Sequence, residues 1–463
     1  MSLHVVVVGG GIAGLAAAYA LRRDCPPGTR LSILDGARGL GGKLRTSAVG
    51  GVLVDEGAEM FLAGVPEAVD LVRALGLGAD LTFPTTTQAS VAVDGVLRRL
   101  PAGTLLGVPA DIAALAESQV LSPAGLARVI EATTGPGDAV LADVTVGDLV
   151  RRRLGPEVVE RLVDPLLGGV YAGRADTLSL RATMPALAAA LRTPRSLVAA
   201  AGEARPTPAA GPGQPVFASV RQGLGALVDG LVAHVDADIR LSLPVREVRR
   251  TGTGFRLTAG PVPAPTYVDA DAVVVAAPAP AAGRLLREVT PGAAALLSGI
   301  EYASVAIVTL VYPAAALPPG SGLLVATTEH RAVKAVTFSS QKWADLDGDH
   351  TVLRASIGRH GEEALLQRDD HELSAIAVRD IAALTGLRGL PIASRVSRWG
   401  GALPQYAVGH VDRVQRIETE VASVPGLAVA GAAYSGVGVP ACIRSGYTAA
   451  AHVVAGLRES RHG

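Results

Sequence analysis

A glycine-rich turn between a strand and a helix constrains the fold of this chain more than any other feature. The run from His4 to Val8 has the composition of a short strand, and Ile12 to Arg23 has the apolar spacing of a helix. Between them lie Gly9, Gly11 and Gly14 in the pattern G-x-G-x-x-G. The first glycine permits a tight turn, the second lets the backbone approach a pyrophosphate, and the third lets the helix pack closely on the sheet. The pattern therefore predicts a dinucleotide-binding turn.

An acidic residue follows at the spacing that dinucleotide-binding folds use. A second predicted strand covers Leu31 to Leu34, and Asp35 follows the glycine turn by about 20 residues. A carboxylate at the end of this strand can accept hydrogen bonds from both ribose hydroxyls of a nucleotide. The glycine pattern alone also fits an ordinary glycine-rich turn. Strand, helix and acid together predict a doubly wound α/β fold with a bound dinucleotide.

Two further glycine-rich segments favour FAD over NAD. Residues 39–46 read GLGGKLRT, so a glycine pair lets a second backbone segment press on the cofactor, and Lys43 and Arg45 lie near its diphosphate. A plain glycine turn is the alternative. Residues 426–450 contain a predicted strand, then Gly436 and Gly438, then a helix. The start of that helix can stabilise negative charge on a flavin, although an apolar helix cap would look similar.

Composition argues against several classes of protein. The chain has 463 residues, with 42 basic and 42 acidic side chains and no basic block, so nucleic acid is an unexpected partner. Cys25 and Cys442 have neither metal-binding nor redox spacing; we expect no metal site and reduced thiols, as in the cytoplasm. The apolar runs 3–21 and 427–443 contain glycines, so we expect no transmembrane segment or signal peptide. Peripheral contact with a membrane remains compatible with the sequence.

The distribution of predicted helices and strands suggests three parts. The predicted FAD-binding part is discontinuous and comprises residues 1–85, 216–285 and 425–463. A substrate-binding part with a β-sheet comprises residues 86–100 and 286–424, and a helical insert comprises residues 101–210. The predicted helices of the insert are Pro109–Gln119, Pro123–Thr133, Thr145–Leu154, Glu157–Leu167 and Met184–Ala200. Residues 204–215 contain four Pro and two Gly, which predicts a loop or linker.

The motifs resemble those of the glutathione-reductase-like flavoproteins, which include amine oxidases and phytoene desaturases. They resemble still more closely the oxygen-dependent porphyrinogen oxidases of haem synthesis. The matching segments, which span Val5 to Gly446, are VVVVGGGIAGLAAAYAL, GLGGKLRT, DEGAEMF, LLGGVYAGRADTLSL, WGGALPQYAVGH and YSGVGVPACIRSG. Of these, GGVYAG…LSL and ALPQYAVGH are specific to the porphyrinogen oxidases. The resemblance implies a mixed α/β fold with an FAD-binding Rossmann-like domain, a β-sheet substrate domain and an inserted helical domain.

The same resemblance implies a set of site residues. The implied FAD contacts are Gly9, Gly10, Gly11, Ile12, Ala13, Gly14, Asp35, Gly36, Gly42, Lys43, Gly57, Ala58, Glu59, Met60, Val245, Trp399, Val437, Gly438 and Val439. From the local sequence, Gly169 and Tyr171 are predicted to lie on a glycine turn between helices and to line the substrate cavity, and a domain hinge is an equally good interpretation. Asp35 stands where relatives commonly carry Glu, and Arg174 stands where they often carry Asp. Local sequence alone would also allow Trp399 to be a core residue.

The resemblance implies a reaction in which the flavin carries the chemistry and no side chain is an indispensable acid or base. The expected reaction is oxidation of coproporphyrinogen III by O2 to coproporphyrin III, in three two-electron steps that release hydrogen peroxide. A ferrochelatase would act downstream. The chain contains only three lysines, Lys43, Lys334 and Lys342, and much Ala and Gly. This is typical of GC-rich actinobacterial genomes, and actinobacteria are expected to use this substrate.

Four alternatives remain open on sequence alone. Protoporphyrinogen IX is a second substrate within the same family. An amine oxidase or desaturase would share the fold, although a chain with 3% aromatic residues is poor in the rings that form an amine-binding cage. A non-catalytic carrier of FAD or porphyrin would share the binding features without turnover. An NAD-dependent dehydrogenase would need only the first glycine turn and its acid.

Overall fold

The strand His4–Val8 lies in the middle of a five-stranded sheet in the structure, a computed structural model that describes residues 3–135, 137–205, 215–346 and 348–459. From edge to edge the strands are Asp238–Arg240, Arg30–Leu34, His4–Val8, Ala272–Val275 and Leu427–Val429. All neighbouring pairs are parallel. Both faces of such a sheet must be covered, and every residue of His4–Val8 is buried. The prediction of a doubly wound α/β fold is confirmed.

Helices and a small antiparallel sheet cover the two faces of this sheet. One face packs against helices Ile12–Asp24, Pro66–Ala74, Gly225–Val235 and Val439–Glu459. The other face packs against a three-stranded antiparallel sheet and three helices. Those elements are Val245–Arg250, Phe255–Ala259, Thr266–Ala270, Ala279–Leu285, Pro291–Ser298 and His410–Ala422.

A second, larger sheet lies beside the first and is mostly antiparallel. Its seven strands, in order, are Ala393–Pro404, Tyr302–Pro313, His350–Ile357, Val333–Phe338, Gly322–Val325, Ala89–Val93 and Val96–Arg99. Only the pair Gly322–Val325 and Ala89–Val93 is parallel among these strands. One face packs on the amphipathic helix Asp370–Thr385. The opposite face meets the helical insert, because Val91, Val93 and Ala326 belong to the core of that insert.

The insert and the connecting segments contain shorter elements. The helices of the insert are Ile112–Ser118, Pro123–Glu131, Val146–Leu154, Pro156–Val158, the π-helical Val159–Val163, Asp164–Tyr171, Leu180–Thr183, Pro185–Ala190 and Leu197–Ala204. Small strand pairs and triplets are formed by Thr46–Val49, Val52–Asp55, Phe61–Leu62, Leu81–Thr82, Thr104–Leu105, Val108–Pro109 and Phe217–Val220. Short helices are Gly78–Asp80, Thr327–Glu329, Ser339–Lys342, Ala344–Leu346 and Glu363–Gln367.

Two predicted helices of the insert were wrong in their extent. The helix predicted from Pro109 begins at Ile112, because Pro109 pairs with Thr104 in a hairpin and the Asp111 side chain caps the helix. The helix predicted over 184–200 is broken into Pro185–Ala190 and Leu197–Ala204. Pro194 lies in the gap, where its ring and missing N–H oppose a continuous helix. Residues 206–214 of the predicted linker lie outside the described residues.

The strands of the two large sheets come from different parts of the chain. Strands of the five-stranded sheet come from residues 1–85, 216–285 and 425–463, and those of the seven-stranded sheet come from residues 86–100 and 286–424. Helix His410–Ala422 nevertheless packs against the five-stranded sheet. The exact domain boundaries remain a proposal.

Candidate active site

The first glycine turn has the close approaches that its sequence predicts. Gly9 has a φ of +108°, and a Cβ there would lie 2.5 Å from the Ala276 carbonyl oxygen. A Cβ on Gly14 would collide with the Gly9 carbonyl oxygen. A Cβ on Gly11 would meet no described atom within 4 Å. The backbone at Gly11, which begins the helix Ile12–Asp24, is therefore open to a ligand, as an anion-binding turn requires.

The segment after Asp35 lies directly on this turn. The Gly41 amide donates to the Gly10 carbonyl oxygen at 2.8 Å, and a Cβ on Gly42 would lie 3.3 Å from Gly11 Cα. Next to them, burial lowers the pKa of Lys43. Within the described residues no carboxylate lies within ion-pair distance of Lys43. The structure therefore places an uncompensated cation beside the turn, which fits the diphosphate of a dinucleotide.

Asp35 lies at the end of its strand, as predicted, and its carboxylate accepts hydrogen bonds from two backbone amides. Oδ2 accepts a hydrogen bond from the Gly10 amide at 2.6 Å, and Oδ1 accepts one from Ala37 at 2.7 Å. A Cβ on Gly36 would lie 3.2 Å from Pro244, so Gly36 is adjacent to the strand that starts at Val245. The residues expected at the adenosine end of the cofactor are therefore close together.

The segment from Gly57 to Met60 is held between the glycine turns and the seven-stranded sheet. Ala58 donates to the Lys43 carbonyl oxygen at 3.1 Å, and a Cβ on Gly57 would collide with that oxygen. The Arg354 guanidinium donates to the Gly57 carbonyl oxygen at 2.5 Å. Close backbone approach thus explains the glycine of this motif.

Glu59 lies at the centre of a buried ion-pair network. Its carboxylate accepts hydrogen bonds from Lys342 and Arg354, and Lys342 Nζ also lies 3.1 Å from Met60 Sδ. Burial by itself would raise the pKa of Glu59, but Lys342 and Arg354 outweigh it and lower the pKa to about 2. The carboxylate is therefore ionised and paired with the two cations. Neither cation was singled out from the sequence, because both are distant from Glu59 along the chain.

Trp399 is half-buried and is anchored to the same segment. Its indole N–H donates to the Glu56 carbonyl oxygen at 2.9 Å, and the Arg45 guanidinium lies 5.0 Å from the ring centroid. One edge of the ring lies beside Gly57, since a Cβ there would be 3.2 Å from Trp399 Cζ2. Trp399 thus lies next to two predicted cofactor-binding segments and is not an ordinary core residue.

The C-terminal glycine turn is fixed by Tyr406. The Tyr406 hydroxyl donates to the Ala432 carbonyl oxygen at 2.6 Å and accepts from the Gly436 amide at 2.9 Å. The His410 ring stacks on Tyr406 with centroids 3.9 Å apart, and its Nε2 lies 3.1 Å from the Tyr434 carbonyl oxygen. Burial lowers the pKa of His410 to about 4, so the ring is neutral. Tyr406 and His410 together therefore hold the turn in place.

The two glycine turns lie next to each other because their helices pack together. Helices Ile12–Asp24 and Val439–Glu459 are in contact, and a Cβ on Gly446 would collide with the Ala13 carbonyl oxygen. Val439 is buried in the core shared by these helices, whereas Gly438 remains exposed. Val437 packs on the core of the helical insert. The start of the last helix therefore lies where three parts of the molecule meet.

Gly169 and Tyr171 belong to the last turn of helix Asp164–Tyr171, so their predicted placement on a glycine turn was wrong. The helix ends at Ala172, which has a φ of +50°. The Tyr171 carbonyl oxygen accepts from Gln405 Nε2 at 2.8 Å, and its ring centroid lies 5.5 Å from that of Tyr406. Burial raises the pKa of Tyr171 to about 12, so its phenol is neutral. The two motifs that are specific to porphyrinogen oxidases therefore contact each other.

This helix contacts the seven-stranded sheet, and exposed residues beside that contact indicate a cleft. Gly169 is exposed, with a Cβ position 3.9 Å from Leu324, and Val170 is 40% exposed. Across the middle of the sheet, four cross-strand neighbours on the facing side are only half-buried: Ile307, Ser356, Ala335 and Leu324. Side chains at the centre of a sheet are usually covered, so this row marks the floor of a cleft.

These features define a class of protein. An FAD-dependent oxidoreductase combines three such parts. They are a parallel sheet with a dinucleotide-binding turn, a second backbone segment packed on that turn, and a cleft over a separate antiparallel sheet. Residues 12–454 match the family described as flavin containing amine oxidoreductase. The chain is 39% identical over 458 residues to the coproporphyrinogen III oxidase of Mycobacterium tuberculosis, which covers 97% of both chains.

Other comparisons agree. The coproporphyrinogen III oxidase of Bacillus subtilis is 32% identical over 462 residues, which is 96% of this chain and 97% of that one. A solved structure named as a protoporphyrinogen oxidase from an Exiguobacterium species has a TM-score of 0.87 at 33% identity, covering 98% of this chain and 99% of that one. Cyclohexylamine oxidase from Brevibacterium oxydans, with a TM-score of 0.71 and 17% identity over 99% of this chain, shows the fold alone. The chain belongs to the flavin containing amine oxidoreductase family, in its porphyrinogen oxidase branch, and its cofactor is FAD.

Two further observations concern all described residues. No helix among them is both long and apolar enough to cross a membrane. In the same residues, no three His, Cys, Asp or Glu side chains are grouped so that they could hold a metal ion. Both cysteines, Cys25 and Cys442, are free thiols.

Proposed function

We propose that this protein uses FAD and O2 to oxidise coproporphyrinogen III to coproporphyrin III in haem biosynthesis. The observation that carries the proposal is the 39% identity, over 97% of both chains, to an enzyme named coproporphyrinogen III oxidase. The contact between Gln405 and Tyr171 supports it, because it joins the two motifs typical of porphyrinogen oxidases. Six electrons and six protons leave the substrate, and three O2 molecules become three H2O2.

We assign the cofactor contacts by where the residues lie. The proposed pyrophosphate-binding residues are Gly9, Gly10, Gly11, Ile12, Ala13, Gly14, Gly42 and Lys43. Asp35, Gly36 and Val245 are assigned to the adenosine end, and the backbone of Gly57, Ala58, Glu59 and Met60 with Trp399, Val437, Gly438 and Val439 to the flavin end. When bound, FAD supplies the two-electron acceptor and O2 regenerates it.

The chain's own residues position the reactants and exclude water. The amides at the start of helix Val439–Glu459 can stabilise negative charge at the flavin end of the site. Tyr406 holds that helix start through Gly436. Gly169 in the helix and Leu324 in the sheet lie close together at one edge of the cleft, to which we assign the macrocycle. Tyr171 supports the cleft through its ring contact with Tyr406.

The substrate also suggests where the protein acts. Coproporphyrinogen III carries four propionates and is therefore water-soluble, so the cytoplasm is the proposed compartment. A ferrochelatase is the proposed consumer of the product. Protoporphyrinogen IX is the second candidate substrate, because the protoporphyrinogen oxidase of Macaca fascicularis is also 32% identical over 98% of the chain.

One experiment tests the function. Purified holoenzyme is incubated in air with either porphyrinogen, and porphyrin fluorescence and peroxide are followed together. We expect fast, peroxide-producing turnover of coproporphyrinogen III and at least tenfold slower turnover of protoporphyrinogen IX. A preference for the two-propionate compound would overturn the substrate assignment. Porphyrin binding without peroxide would indicate a carrier, and a colourless protein that cannot be reconstituted with FAD would overturn the proposal.

A further inference from the structure

Two buried cations lie where the seven-stranded sheet meets the helical insert. Lys334 is 5% exposed and Arg359 is 7% exposed. In the part of the chain that the structure describes, neither side chain has a hydrogen-bond or ion-pair partner. Charged groups are rarely buried without compensation, because desolvation is costly. Lys342 shows the usual arrangement in this protein, since it is equally buried but pairs with Glu59.

Both cations belong to backbone segments that border the floor of the cleft. Lys334 lies at a bulge in its strand and is followed by Ala335, one of the four half-buried residues of that floor. Arg359 follows the neighbouring strand, and the next residue, His360, donates its amide to the Ala172 carbonyl oxygen at 2.8 Å. Ala172 directly follows the helix that carries Gly169.

The acidic side chains nearby are already paired. Glu362 pairs with Arg174. Asp164 accepts a hydrogen bond from the Ala175 amide at 2.6 Å and lies 3.9 Å from Arg174. Arg174, the residue that stands where relatives often carry Asp, therefore occupies both acids. This pairing leaves Lys334 and Arg359 available to an external anion.

We propose that Lys334 and Arg359 bind carboxylate groups of the substrate, and that Arg174 keeps them available by occupying Glu362 and Asp164. The proposal rests on the proposed function, because the tetra-acid macrocycle is the ligand expected in the cleft. An ammonium and a guanidinium in a dry site form strong charge-assisted hydrogen bonds with carboxylates. Burial and the neighbouring Arg359 lower the pKa of Lys334 to about 7, and a bound carboxylate would raise it again.

The decisive experiment measures binding rather than turnover. The FAD-loaded enzyme is titrated with coproporphyrin III, which is stable in air, and with its tetramethyl ester, which keeps the macrocycle but lacks the charges. We expect Lys334→Met and Arg359→Met each to weaken binding of the tetra-acid at least about tenfold. Binding of the ester should stay within about twofold of wild type, and Lys334→Arg should restore most of the tetra-acid affinity.

Thermal stability gives a second readout, with Lys342→Met as the matched control. Removing an unpaired buried charge should leave the melting temperature of Lys334→Met unchanged or raise it by about 1–3 °C. Removing the paired Lys342 should lower it, because Glu59 would then be left with Arg354 alone. A lowered melting temperature in Lys334→Met, with equal losses for both ligands, would show a structural role and overturn the proposal.

Unchanged tetra-acid affinity in both Met variants would also overturn it. Because the experiment measures binding, its result does not depend on whether the protein oxidises a porphyrinogen. A wild-type protein that binds the tetra-acid through Lys334 but oxidises no porphyrinogen would refute the proposed function while supporting the carboxylate site. If the variant with Met at both positions oxidised coproporphyrinogen III normally, that result would support the proposed function and refute the carboxylate site.

Discussion

The Tyr406 hydroxyl accepts a hydrogen bond from the Gly436 amide at 2.9 Å. This contact joins a motif after the last strand of the seven-stranded sheet to the glycine turn before the last helix. The same hydroxyl donates to the Ala432 carbonyl oxygen, so one phenol satisfies both sides of the turn. The proposed flavin end of the site and the substrate cleft are therefore coupled, since Tyr406 also contacts Tyr171.

Tyr406→Phe should weaken retention of FAD. The change keeps the ring stacked on His410 but leaves the Gly436 amide and the Ala432 carbonyl without their shared partner, at a cost of about 1–3 kcal/mol. We expect a several-fold higher dissociation constant for FAD, measured by flavin fluorescence on dilution. Tyr171→Phe is the control, because no described group hydrogen-bonds its hydroxyl. Equal FAD affinity in the two variants would contradict this role.

Gly446→Ala should separate the first and last helices. The new methyl group would collide with the Ala13 carbonyl oxygen, which is backbone and cannot move aside easily. We expect a loss of about 1–3 kcal/mol in unfolding free energy and a lower FAD-to-protein absorbance ratio. Gly202→Ala is a matched change inside a helix, where a Cβ meets no described atom within 4 Å. That control should be neutral or slightly stabilising.

The sequence was most informative where structure is local. The first glycine turn, its acid and the last glycine turn each lie within one strand-turn-helix unit, so their residue types and spacing indicate their geometry. Gly169 is an exception, because its sequence context predicts a turn but the residue lies in a helix. A Cβ there would make only ordinary van der Waals contact with Leu324, at 3.9 Å, so nothing in the described part of the structure requires glycine at this position.

The sequence did not indicate which side chains pair when they are distant along the chain. Glu59 was identified through its motif, but its partner Lys342 is 283 positions away and lies in a segment without a recognisable pattern. Lys334 was noticed only as one of three lysines. Its burial depends on how the insert covers the large sheet, and that packing follows from the whole fold. A residue's exposure and lack of a partner are properties of the tertiary structure.

Glu59→Gln should destabilise the protein strongly. Neutralising this carboxylate leaves Lys342 and Arg354 buried without a counter-charge, which typically costs about 3–5 kcal/mol. The pKa of Glu59 is about 2 in the folded protein against a usual 4.5, so its contribution is complete above pH 4.5 and is lost as the pH falls towards 2. Urea unfolding at pH 7 should show the full difference. A loss below about 1 kcal/mol would contradict the assignment of a buried network.

Asp55→Asn should stabilise the protein in a pH-dependent way. Burial raises the pKa of Asp55 from 3.8 to about 6, although hydrogen bonds from Thr46 and Leu224 oppose the shift. Because the folded state then binds the proton more tightly than the unfolded state, stability falls as the pH rises through 3.8 to about 6. The cost persists above that range. Asparagine keeps an oxygen for both donors without ever becoming charged.

The advantage of Asp55→Asn over wild type should therefore grow from pH 4.5 to pH 6.5 and reach roughly 1–3 kcal/mol. Melting temperatures measured across this range report it. Asp70→Asn is the surface control, because the Asp70 side chain is 68% exposed and should give a small difference at every pH. A constant difference between Asp55→Asn and wild type would show that Asp55 is charged throughout, and the burial argument for this carboxylate would then fail.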